Sequence, residues 1–191
     1  MANVDFPSGL RPIRNQGGSS PQVIAMDSVS TVIYEGALAI LSSDGTVSMN
    51  GADTVSSTDA VDIVGVFVQS KAASADGADG SRSKVLVNID PEQLYVIQSD
   101  DDTLVSAANF VGRNFAVVEA ASGNTTTLRS ICELDGSSGA SAANTYTTSA
   151  EILQVISEYS GKRIDGDLTS NGQFIVKIVP ATHIHRNNLG V

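Results

Sequence analysis

The sequence predicts a mainly β protein: a single compact β-barrel or β-sandwich domain with one short helix and an extended N-terminal arm. Three observations lead there. Short β-branched and apolar runs alternate with turn signals along most of the 191 residues, the spacing of a sandwich or barrel. Charged residues are only 17% of the chain and Trp is absent, so small polar and β-branched residues set a local preference for strands and turns. The opening MANVDFPSGLRPIR carries Pro7, Gly9 and Pro12, which exclude a helix and, through two missing amide donors, a central strand.

The arm is assigned to residues 1–22 and the body to residues 23–191. Val4, Phe6, Leu10 and Ile13 are apolar without periodicity, and the Gly17–Pro21 run separates them from the body. Such a segment cannot cover its own apolar side chains, so it is expected to lie along another surface, on its own subunit or on a neighbour. Phe6, Leu10, Arg11, Ile13 and Arg14 are the expected partner contacts. The two arginines suit forked pairs with carboxylates beside the apolar anchors. Deletion of residues 2–16 is expected to leave a folded body.

In the body, Val23–Met26 and Thr31–Tyr34 read as opening strands. Ala37–Leu41 and Thr46–Met49 flank Asp44-Gly45, a hairpin signal. Asn50–Ala60 is a polar connection. Asp62–Gln69 contains the nearly unbroken run Ile63, Val64, Val66, Phe67 and Val68, which predicts a strand buried on both faces. Lys84–Ile89 alternates, with Val85 and Val87 on one side, and Leu94–Gln98 follows as another strand. Thr103–Val111 has helical spacing, with Asp100–Asp102 at its start and Gly112 at its end; this is the one helix expected. Phe115–Glu119, Thr125–Leu134, Glu151–Glu158 and Gln173–Val179 complete the strands. Residues 72–83, 136–149 and 161–172 read as loops or turns.

Composition also excludes functions. The net charge is −10, and residues 1–22 hold two arginines against one aspartate, so the body carries the acid. An acidic body repels phosphate backbones and anionic lipid, so neither nucleic acid nor membrane is an expected partner. The single cysteine allows no internal disulfide. No signal peptide or spanning segment is read, and the product is expected in a reducing cytoplasm.

No catalytic set emerges. Cys132 is followed by Glu133 and Asp135, which disfavour a thiolate, so a packed core cysteine outranks a nucleophile. Nucleophile-elbow, zincin, Walker and dinucleotide motifs are all missing from the sequence. His183 and His185 would share one side of a strand and could join in a metal site, but a solvated or interface strand outranks it. The acids and Asn within 165–172 fail the calcium-loop pattern. No cofactor and no enzymatic activity are expected.

The opening MANVDFPSGLRPI, the early hairpin, DIVGVFVQ, a Gly/Ser-rich loop, VLVNIDPEQLYVIQSDD and the late CELDGSS and TTSAEILQVIS segments occur in that order. Together they resemble the head decoration, or capsid cement, proteins of tailed bacteriophages, over nearly the whole chain. The resemblance implies a mostly β virion structural protein on the capsid exterior, commonly a homotrimer at local threefold positions, with extended termini reaching the major capsid protein. A head fibre, tail or receptor-binding module is the alternative. A hydrolase built on Cys132 or the histidine pair ranks below both.

Overall fold

A computed structural model describes residues 7–15, 22–28, 32–49, 54–55, 62–72, 83–100, 111–120, 122–136, 151–159, 172–179 and 183. Among them every regular element is a strand: β1 (Arg11–Asn15), β2 (Val23–Ser28), β3 (Leu38–Leu41), β4 (Val47–Met49), β5 (Thr54–Val55), β6 (Ile63–Phe67), β7 (Ser83–Asn88), β8 (Gln93–Gln98), β9 (Asn114–Phe115), β10 (Val117–Val118), β11 (Gly123–Asn124), β12 (Arg129–Ser130), β13 (Glu133–Leu134), β14 (Leu153–Glu158) and β15 (Gln173–Ile178). The helix expected over Thr103–Val111 falls outside the described residues but for its last. The interiors of the three expected loops also lie outside them.

Strands β2, β4, β3, β6 and β7 close into a barrel, and β1, β8, β15, β14 and β9 form a five-stranded sheet in that order. Two small sheets, β13-β10-β5 and β11-β12, complete the architecture. The β3–β4 hairpin forms where Asp44-Gly45 predicted it, with Ala39 opposite Met49 and Leu41 opposite Val47. Gly45 takes φ +79°, a value that favours glycine. Asp44 Oδ1 accepts from both the amide (3.0 Å) and the hydroxyl (2.6 Å) of Thr46, which closes the turn.

The barrel and the sheet share a wall. Ala39, Val64 and Phe67 point into the barrel core with Val85 and Val87. Leu38, Ile63 and Val66 point the other way, into the core of the five-stranded sheet with Tyr95, Ile97, Phe174 and Val176. All five residues of β6 are therefore buried, as the unbroken apolar run required. A register irregularity between Ala39 and Ile40 lets Ile63 and Val66, three positions apart, face the same core. Glycine at 65 is obligatory, because a Cβ there would overlap the Asn88 carbonyl oxygen.

Three expectations need correction. Thr31–Tyr34 supplies no strand among the described residues; Ile33 makes only an isolated bridge to Lys71. Thr125–Leu134 is not one strand but a turn at 125–128 followed by β12 and β13, with Leu128 at φ +53° and the Thr126 and Thr127 amides donating to Asn124 Oδ1. Asn50–Ala60 contains β5, whose Val55 pairs with Val117.

Candidate functional site

Residues 7–15 of the leading segment are mounted on the body rather than trailing from it. Gly9 has φ +64°, and a Cβ there would lie 2.8 Å from both the Gly36 carbonyl oxygen and Ser130 Cβ. Only glycine permits this crossing, which brings the next residue inward. The Leu10 amide donates to Gly36 O at 2.9 Å, and the Leu10 side chain is 0% exposed within the sheet core. Downstream, β1 runs antiparallel to β8, with Arg11 opposite Val96 and Pro12 opposite Tyr95. It occupies the sheet edge, where a proline that cannot donate to the ladder is tolerated.

This geometry sorts the expected partner contacts. Leu10 is enclosed by its own chain and is not available to another molecule. Ile13 falls at the register irregularity between Pro12 and Arg14, where the extra residue turns it out, and it remains 40% exposed. Arg11 is exposed, its Nη2 donating to Gln173 Oε1 at 3.5 Å. The backbone of Arg14 pairs with Leu94; its side chain and all of Phe6 lie outside the described residues. A cut after residue 16 would remove an edge strand and a core side chain, so the segment is not a detachable tail.

Beside the start of β1 lies a groove of about 300 Å³, lined by Ser8, Leu10, Arg11, Pro12, Glu35, Gly36, Phe67, Val68 and Arg129. It opens at the junction of barrel and sheet. Three chain crossings hold its walls. The Gly36 amide donates to Phe67 O at 2.8 Å, the Glu35 amide to Leu128 O at 3.0 Å, and the Ser130 amide to Glu35 O at 2.9 Å. The side chains of Glu35 and Arg129 are exposed. Neither Arg11 nor Arg129 makes an ion pair among the described residues, whereas Lys84 pairs with Asp27 at 3.4 Å. Sequence reasoning found Arg11 but missed Arg129 and Glu35. Nothing local marks them, because they share the groove with Arg11 only through backbone contacts between segments far apart in sequence.

Two of the other candidates are buried in the body. Cys132 is fully buried below the groove, its Sγ 3.7 Å from the Gly36 carbonyl oxygen. Burial pushes its thiol up to about 11, against the lowering hydrogen bonds of Ser130 and the Leu10 backbone. At neutral pH it is a thiol, poor as a nucleophile. His183 is not on a solvated strand: it is completely buried and bridges to Ile63 of β6. His185 lies outside the described residues, as does the 165–172 loop up to Gly172. Among the described residues no group of three or more His, Cys, Asp or Glu could hold a metal ion, and no helix is long and apolar enough to cross a membrane.

Comparison with known proteins finds no matching family model, no matching curated protein and no matching solved structure.

Proposed function

We propose that the protein decorates and stabilises the outside of a phage capsid, acting as a homotrimer whose leading segment docks on the major capsid protein or on neighbouring subunits. The observation that carries this reading is the mounting of that segment: Leu10 rivets it to the body, while Ile13 at 40% exposure and the exposed Arg11 lie on the surface at a sheet edge. A rigid, outward-facing strand docks with less ordering cost than a free tail. Ile13 has part of its surface left to bury, worth roughly 1 kcal/mol. Such a contact is weak alone and becomes strong through avidity when each trimer engages several sites at once. The acidic body supports the reading by keeping many copies apart in solution. The trimer and the capsid partner come from the sequence resemblance.

The test is co-sedimentation of the purified chain with empty phage heads, with copies per head counted by imaging. Wild type should saturate at hundreds of copies, and Ile13→Asp should bind at least about tenfold more weakly at a temperature where both chains are fully folded by circular dichroism. Unchanged binding by Ile13→Asp would overturn the docking role. A few copies confined to one vertex would replace decoration by the fibre or tail reading.

A further inference from the structure

We infer that the groove between β1 and the barrel is a recognition site for an extended peptide segment of another protein that presents an apolar side chain next to a carboxylate. Charge is the first argument. The chain holds 21 acidic and 11 basic residues, so a cation has abundant carboxylates with which to pair. Yet Arg11 and Arg129 both line this one groove, and neither has a carboxylate within ion-pair distance among the described residues. Arg11 Nη2 has only the neutral Gln173 Oε1 as its acceptor among the described residues. Against the two arginines the described lining sets one carboxylate, Glu35, so the groove keeps a net positive charge that attracts an anion, and a planar guanidinium fork matches a carboxylate.

The groove floor narrows the ligand further. Leu10, Pro12, Phe67 and Val68 are apolar and suit an aliphatic side chain more than a sugar or a nucleotide. A volume of about 300 Å³ is at the small end for ligand pockets, enough for one or two side chains. One wall is the start of an edge strand, the natural neighbour of an extended peptide. In an extended segment, residues two apart face the same side, so the recognised pattern is apolar-x-acid. The site does not depend on the shell-coating reading, because it is defined by a free peptide.

The test uses the full chain and the blocked peptide Ac-Ala-Leu-Ala-Glu-Ala-NH2, titrated by NMR at low salt while the Arg11 and Arg129 side-chain Nε–H signals are followed. Both signals should shift on a common curve. The peptide with Gln in place of Glu should bind about three- to tenfold more weakly, and so should wild-type peptide to Arg129→Gln or Arg11→Gln. Added salt should erase the difference between the two peptides. Both arginines are exposed, so the variants should melt with wild type. Equal affinity for the acid and amide peptides, or shifts confined to residues away from the groove, overturns the inference. Loss of head decoration with peptide binding intact would instead count against the capsid reading alone.

Discussion

Leu10 shows how one side chain decides the status of a whole segment. It follows a buried glycine at positive φ and precedes an exposed arginine, and it is fully enclosed by the core that includes Cys132, Leu38 and Val66. Its removal leaves a cavity that rigid strands on every side cannot collapse. Leu10→Ala should therefore cost about 2–5 kcal/mol of unfolding free energy, measured by denaturant titration. A loss below about 1 kcal/mol would mean that the segment is not integral to the fold. The Gly9–Gly36 crossing explains why the segment enters the core here. With φ +64° at Gly9 and +87° at Gly36, neither glycine has a side chain to keep the two backbones apart.

At the scale of elements, β6 is the member on which the architecture turns. It pairs with β3 and β7 in the barrel and sends Ile63 and Val66 into the sheet core. The two cores therefore cannot separate without breaking it. Gly65 is its tightest point, where an added methyl overlaps the Asn88 carbonyl oxygen. Backbone cannot yield there as a flexible side chain would. Gly65→Ala should lower stability by about 1–3 kcal/mol or more and shift both cores together, seen as a single lowered melting transition. Two separate transitions would show that the barrel and the sheet fold independently. The β1 strand plays the opposite part: paired among the described residues with β8 alone and carrying Pro12, it stands at the end of the sheet.

For the whole molecule, the excess of acid has a pH signature at Glu151. Desolvation, aided by the nearby Asp135 charge, raises its carboxyl above the usual range, and its Oε2 is buried without a hydrogen-bond partner among the described residues. Because the folded-state value exceeds the unfolded one, protonation favours the folded form. That contribution is complete below the ordinary glutamate value of about 4.3 and is lost as pH rises through the raised folded value. Glu151→Gln should therefore melt higher than wild type at neutral pH, with the gap closing toward pH 4. A gap that persists at pH 4 would assign the effect to packing instead. The residues alone settled much of the local structure: the Asp44-Gly45 hairpin, the doubly buried 63–67 run, the alternation of Val85 and Val87, and the prolines that bar the leading segment from a central strand. These depend on neighbours a few positions apart, so their physics is written in order along the chain. Only the tertiary structure decided where Leu10 is buried, that β1 lies against β8, and that Arg129 and Glu35 share a groove with Arg11. An apolar or charged residue declares that it seeks cover or a counter-charge, but the surface that answers it is assembled from strands far apart in sequence, and no local pattern encodes which ones meet.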